Sequence, residues 1–205
     1  MEIHRALSQI SEIHAHVSRG EVYRGFRSVP VGLSGLLALA AAGLQLRIFP
    51  ADPLAWFIAY WTGVAALGAT VAGAGIVHSY LFRYSERERR TTRRVVGQLL
   101  PALFAGVLCT GVFHARQLPV EFLPGLWAIL FGLGIFAARP YLPHRIGWVG
   151  LYYVIAGVWL LAAPASPAAV VWGMGLVFGV GQLAGAMVLY WNLERENNGG
   201  KKPQR

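Results

Sequence analysis

Residues 82–94 read FRYSERERRTTRR, and this basic stretch separates two long segments that carry no Asp, Glu, Lys or Arg. It holds six of the eighteen Lys and Arg residues of the chain. Basic residues beside long apolar segments set the orientation of a membrane protein, because they are retained on the cytoplasmic side. The stretch is therefore the reference point for predicting the fold.

The composition indicates a membrane protein. Hydrophobic residues make up 56% of the chain and charged residues only 13%, which is unusual for a soluble domain. The charges are also segregated, leaving uncharged segments long enough to cross a hydrocarbon core of about 30 Å. We predict an all-α, polytopic membrane protein built as a bundle of six transmembrane helices.

The predicted spans are residues 31–48, 54–82, 95–115, 122–138, 146–163 and 168–193. The second span corresponds to a helix of about 43 Å, which must tilt or project beyond the membrane. Ser85 and Glu88 have the spacing of a capping box, so a helix is predicted to begin there and to continue into the third span.

The spans define three predicted parts of the chain. Residues 1–29 form a cytoplasmic amphipathic helix with its linker, residues 30–193 form the membrane domain, and residues 194–205 form a polar, disordered cytoplasmic tail. In residues 3–19, apolar positions recur at spacings of four and three. This helix is expected to lie at the membrane interface, and pairing with another chain is the alternative.

The basic residues predict the orientation. With six spans, sixteen Lys and Arg residues fall on the side of the termini, and only Arg47 and Arg116 fall on the other side. The positive-inside rule places both termini in the cytoplasm, and the predicted location is the bacterial cytoplasmic membrane. Aromatic residues are expected to form belts at the two interfaces, the outer belt comprising Trp56, Trp61, Trp127, Trp159 and Trp172.

Polar side chains inside the predicted spans are the candidate intramembrane site residues, because burying them unpaired is costly. They are Thr70, His78, Gln98, Thr110, His114 and Gln182. None is acidic, so the carboxylate needed for proton-coupled transport or aspartyl proteolysis is missing. Antiparallel packing of spans two and three would pair His78 with Gln98 or His114 with Thr62, and helical drift allows only one of these pairs.

No cofactor and no metal site is predicted. His78 and His114 lie at different membrane depths, which disfavours haem ligation by both. The segment Gly32-Leu33-Ser34-Gly35 resembles the nucleophile motif of rhomboid intramembrane proteases, but the similarity ends with these four residues. Small residues at the start of a helix are the interpretation we adopt for this segment, and the chain is not expected to be an enzyme.

Two G-x-x-x-G units occur in the sixth span, and such units mark close helix contact. Contact within the bundle is favoured over contact between subunits. The helix-packing candidates are Gly175, Gly179, Gly181 and Gly185.

The basic stretch has two candidate partners. Its arginines are expected to contact anionic lipid headgroups, at about 1 kcal/mol each, and this interpretation is preferred. Docking of an acidic protein surface is the alternative. Membrane orientation accounts for the formal charge of +9, so nucleic-acid binding is not predicted. The candidate contact residues are Arg83, Arg87, Arg89, Arg90, Arg93 and Arg94.

The function expected from these features is that of a non-catalytic subunit, assembly factor or regulator that binds another protein through its cytoplasmic face. The chain is also expected to contact membrane lipids, and its protein partner is either another protein or a second copy of itself. A small-solute transporter or channel is the alternative. A membrane-embedded redox or cofactor-binding subunit is the third hypothesis.

Overall fold

The structure is a computed structural model that describes residues 27–49, 54, 56–82, 86–163 and 166–194. These residues are helical or connect helices, and none of them lies in a strand. The predicted amphipathic helix at residues 3–19 and the predicted tail after residue 194 lie outside the described residues. The α-helices are α1 (Ser28–Ile48), α2 (Phe57–Phe82), α3 (Glu86–Arg116), α4 (Leu123–Ala138), α5 (Ile146–Ala162) and α6 (Pro167–Leu189).

Short helical segments connect these elements. Val120–Phe122 and Arg139–Tyr141 are 3-10 helices on either side of α4, and a π-helical turn, Tyr190–Glu194, continues α6. Each predicted span coincides with one helix. Residues 86–94 of the basic stretch are helical and form the start of α3. Ser85 and the side chain of Glu88, which make up the predicted capping box, lie outside the described residues, so the capping box stays a prediction.

Local sequence explains two further helix boundaries. Ser166 caps α6, because its Oγ accepts a hydrogen bond from the Ala169 backbone N–H at 3.3 Å and Pro167 follows at the first helical position. The other boundary is the end of α3, where Gln117 has a φ of 51°. A left-handed residue directly after a helix ends it, and the Gln117 side chain donates to the His114 carbonyl at 2.7 Å.

Helix length and composition are those of a multi-pass membrane protein. The segments α1, α2, α3, α4 and α6 are each long and apolar enough to cross a membrane. Helix α5 is also apolar but has only 17 residues. Large apolar side chains such as Phe104 and Val107 of α3 are 64% and 67% exposed, as expected for a surface in contact with lipid tails.

Helices α1, α4, α5 and α6 form the centre of the bundle, and neighbours in the chain run antiparallel. Helix α1 packs along α6, α4 packs along α5, and α5 packs on α6. Helix α2 lies against α1, while α3 lies against α4. Contact between α2 and α3 is limited, so both helices are peripheral.

The antiparallel order gathers most described arginines at one end of the bundle. The starts of α1, α3 and α5 lie there with the ends of α2, α4 and α6, as shown by contacts such as Val95 with Ala138 and Gly185 with Val31. We call this the basic end. Arg47 and Arg116 lie at the opposite end, and the basic end carries Arg27, Arg89, Arg90, Arg93, Arg94, Arg139 and Arg145.

Glycine faces hold the central helices together. A Cβ added to Gly175 of α6 would lie 2.5 Å from the Ala42 Cβ of α1. A Cβ added to Gly157 of α5 would lie 2.7 Å from the carbonyl oxygen of Gly125 in α4. Both distances are too short for a real side chain, so these helix pairs approach as closely as their backbones allow.

Candidate functional site

The basic start of α3 is held in place by buried neighbours. Thr92 is 5% exposed and Val95 is fully buried, and Val95 packs against Ala138 of α4. Arg90, Arg93 and Arg94 are exposed on the same turns. The cations are therefore presented by a helix that is anchored in the bundle.

Arg89 and Arg93, at the start of α3, hold this helix to the end of α2. The Arg93 Nε donates to the Tyr80 hydroxyl at 2.9 Å. The Arg89 guanidinium donates to the Leu81 carbonyl at 3.3 Å and lies 5.5 Å from the centre of the Tyr80 ring. A cation at the last carbonyls of a helix also interacts favourably with the helix dipole.

Among the described residues, Arg90 and Arg94 take no part in this hairpin contact. They are four residues apart on α3, so they lie on one face of the helix, and both are exposed. Arg83 lies outside the described residues, and so does the side chain of Arg87. Of the six predicted contact residues, Arg90 and Arg94 are thus the two described arginines that face outward without bonding α2.

A second basic group lies at the same end, between α4 and α5. The Arg139 Nη2 lies 2.9 Å from the His144 Nε2, and the Arg139 guanidinium covers Gly147 at the start of α5. Arg139, His144 and Arg145 are all exposed.

The most deeply buried polar contact joins Gln45 of α1 to Trp61 of α2, at the opposite end. Gln45 is 0% exposed, and its Oε1 accepts a hydrogen bond of 2.7 Å from the Trp61 Nε1. The neighbouring Tyr60 hydroxyl donates to the Ala41 carbonyl at 2.7 Å. These bonds attach the peripheral helix α2 to α1.

The sequence interpretation missed this pair. Gln45 is the sole side-chain amide in the first span and could have been identified by collecting every polar residue inside the spans. Trp61 was assigned to the outer aromatic belt, but it is only 1% exposed, so that assignment is wrong. Its indole N–H bonds a protein amide inside the bundle instead of lipid headgroups.

Thr110 of α3 forms a comparable contact with α4. Its hydroxyl accepts from the Trp127 Nε1 at 2.8 Å and donates to the Gly106 carbonyl at 2.7 Å. Trp127 also stacks on Phe57 of α2, with ring centres 6.2 Å apart. Through Trp127, Thr110 thus links α2, α3 and α4. From the sequence, only a contact between α2 and α3 was considered for this residue.

The other described polar candidates of α2 and α3 form no hydrogen bond with one another. Thr70 is exposed and its hydroxyl donates to the Ala66 carbonyl of its own helix at 2.8 Å. Gln98, His114 and Thr62 are also exposed. The side chain of His78 lies outside the described residues, so its predicted pairing with Gln98 stays a prediction.

Gln182 and the glycines of α6 face the interior of the bundle. Gly175 and Gly179 meet α1, and Gly181 lies directly under the ring of the buried Tyr153 of α5. Gln182 is half-buried and lines a cavity of about 90 Å³ near the basic end, together with Tyr153 and Gly185. The sequence interpretation selected the α6 glycines but not Tyr153, whose position follows from the missing side chain at Gly181.

Ser34 and Cys109 are nucleophilic side chains that lie inside the helices. Ser34, in the segment that resembles the rhomboid motif, is buried and its hydroxyl donates to the Val31 carbonyl at 2.7 Å. Cys109 is a half-buried free thiol. Within the part of the chain that the structure describes, no three His, Cys, Asp or Glu side chains come together as metal ligands.

Known proteins give no guide to the function, so the function is inferred from the geometry described above. No protein-family model, no curated protein and no solved structure matches the chain.

Proposed function

We propose that the chain is a non-catalytic subunit, assembly factor or regulator in a bacterial cytoplasmic membrane, where it binds a protein partner with an acidic surface through the start of α3. In this proposal all six helices cross the membrane and the basic end faces the cytoplasm. The 17 residues of α5 span about 26 Å, which is near the thickness of the hydrocarbon core. The concentration of arginines at the basic end supports the orientation.

One observation carries the binding proposal. Arg90 and Arg94 are exposed on one face of a helix whose adjacent residues Thr92 and Val95 are buried in the bundle. A cation on an anchored helix loses less conformational freedom on binding than one on a loose loop. Two such cations one turn apart match a pair of carboxylates on a partner.

The intramembrane polar groups support a structural role for the bundle. Gln45 and Thr110 each bond a tryptophan of another helix, so their polar atoms hold helices together. The alternative of a small-solute transporter relied on polar residues of α2 and α3, but Thr70, Gln98 and His114 are exposed and lie apart from the cavity. The third hypothesis, a redox or cofactor-binding subunit, has no specific observation in its favour.

Site-specific photo-crosslinking in cells tests the proposal. A photoreactive amino acid at Arg94 is expected to give one discrete protein adduct, which mass spectrometry identifies as another protein or a second copy of the chain. Arg90→Glu should reduce that adduct at least fivefold, because it reverses the neighbouring charge. The matched control Arg116→Glu reverses an exposed cation at the opposite end and should leave the adduct unchanged.

Lipid is the competing partner in this experiment. If position 94 crosslinks only to lipid, or if Arg90→Glu does not change the protein adduct, the proposed protein contact is wrong. The same probe at Glu121, an exposed residue of the opposite end, reports nonspecific crosslinking.

A further inference from the structure

The cavity near the basic end has features that the packing of the bundle does not explain. Its volume of about 90 Å³ lies between α1, α4, α5 and α6, and its walls are apolar apart from Gln182 and Tyr153. An apolar cavity of 150 Å³ in another protein holds benzene, so this space would hold about three or four carbon atoms. Among the components of a membrane, a short stretch of an alkyl chain fits such a space.

Glycine creates the room for this occupant. Gly185 forms part of the cavity wall, and a Cβ added there would meet only the Val31 and Val149 side chains, at 3.9 Å and 4.0 Å. These are ordinary van der Waals distances, unlike the close contacts at Gly175. The absence of a side chain at Gly185 therefore leaves space that helix packing does not require.

Positively charged residues near the cavity indicate which kind of lipid headgroup would accompany the alkyl chain. Ile135, Leu142 and Ile146 are wall residues near the ends of α4 and α5. Arg139 follows Ile135 by one helical turn, and Arg145 directly precedes Ile146. Both arginines are exposed at the basic end, close in the chain to residues of the cavity wall, so their charges are available to an anionic headgroup.

We propose that this cavity takes up a stretch of three or four carbon atoms from one acyl chain of an anionic phospholipid, whose phosphate contacts Arg139 and Arg145. The site is separate from the proposed protein contact at Arg90 and Arg94. Each arginine near a membrane surface is expected to favour an anionic lipid about fivefold over a zwitterionic one. Basic pockets between membrane helices are known to take anionic headgroups.

Photolabelling of the full chain in lipid nanodiscs tests this site. Phosphatidylglycerol with a diazirine on one acyl chain should label peptides containing Val149 and Leu189, at least fivefold more than phosphatidylcholine with the same chain. Gly185→Leu fills the cavity and should abolish this labelling, while labelling of exposed Phe104 on α3 persists. The matched control is Gly111→Leu, a position where no atom of the described residues lies within 4 Å of an added Cβ, and it should label like the wild type.

Several outcomes would overturn the proposal. Equal labelling of the cavity peptides by the two phospholipids would remove the role of the arginines, and undiminished labelling of Gly185→Leu would place the chain elsewhere. If Gly185→Leu does not fold, the double variant Arg139→Gln and Arg145→Gln decides the matter. It should lose the preference for phosphatidylglycerol, and an unchanged preference refutes the site. A diazirine fatty acid that labels the cavity more strongly than phosphatidylglycerol would refute the assignment to a phospholipid.

Discussion

At the scale of single residues, the buried amide of Gln45 has the clearest energetic role. Its oxygen is the acceptor for the Trp61 indole N–H, and both side chains are almost fully buried. An indole nitrogen is only a donor, so Trp61 depends on that acceptor. Removing one partner from a buried pair leaves the other unsatisfied, which costs more than the bond itself contributes.

We therefore expect Gln45→Leu to lower the free energy of unfolding by about 1–3 kcal/mol. Gln182→Leu is the matched control, because Gln182 forms no hydrogen bond with any other described residue and should change stability by less than about 0.5 kcal/mol. Reversible denaturation in detergent, followed by tryptophan fluorescence, measures both values. Equal stability of the two variants would contradict the assigned role of Gln45.

The hydrogen-bond partners of the intramembrane polar residues were harder to predict than the polar residues themselves. Thr110 was selected from the sequence as an intramembrane polar group, yet its partner is Trp127 of α4 and not a residue of α2. In a soluble helix the apolar stripe identifies the buried face, but lipid-facing and core-facing positions of a membrane helix are equally apolar. Sequence periodicity therefore does not reveal which neighbour a polar side chain meets.

At the scale of helices, the apolar segments and the basic stretch were sufficient to locate the six α-helices of the described residues. The helical continuation of the basic stretch into the third span also follows from sequence, because no Gly or Pro separates residues 86–94 from the apolar run. The glycine units of α6 predicted a close contact, but the partner helices, α1 for Gly175 and Gly179 and α5 for Gly181, could not be inferred. The contacts of Gly125 with Gly157 and of Gly132 with Gly150 were missed because these glycines are seven residues apart on each helix and form no G-x-x-x-G unit.

Gly175→Ala tests the contact between α1 and α6. The new Cβ would lie 2.5 Å from the Ala42 Cβ, which has no rotamer to move away, so we expect a loss of about 1–3 kcal/mol in the free energy of unfolding. Gly43→Ala on α1 is the matched control, since no described atom lies within 4 Å of its added Cβ and alanine is the better helix former. The same denaturation measurement applies, and a Gly175→Ala variant as stable as Gly43→Ala would contradict the close approach.

At the scale of the whole molecule, the two ends of the bundle have different compositions and different proposed roles. The opposite end holds the aromatic and amide contacts that join α2 and α3 to the centre. The basic end holds exposed arginines at the start of α3, a cavity, and the exposed Arg139 and Arg145 close in sequence to residues of the cavity wall. Both proposals, the protein contact at α3 and the lipid site at α4 and α5, require this end to face the cytoplasm.

Cysteine labelling from outside the cell tests that orientation directly. The natural cysteine is first removed by Cys109→Ala, and single cysteines are then placed at exposed positions of the two ends by Glu121→Cys or Arg90→Cys. In intact bacterial cells, a membrane-impermeant maleimide should label the Glu121→Cys variant, and it should label the Arg90→Cys variant only after the membrane is opened. Labelling of Arg90→Cys in intact cells, with protection of Glu121→Cys, would contradict the account.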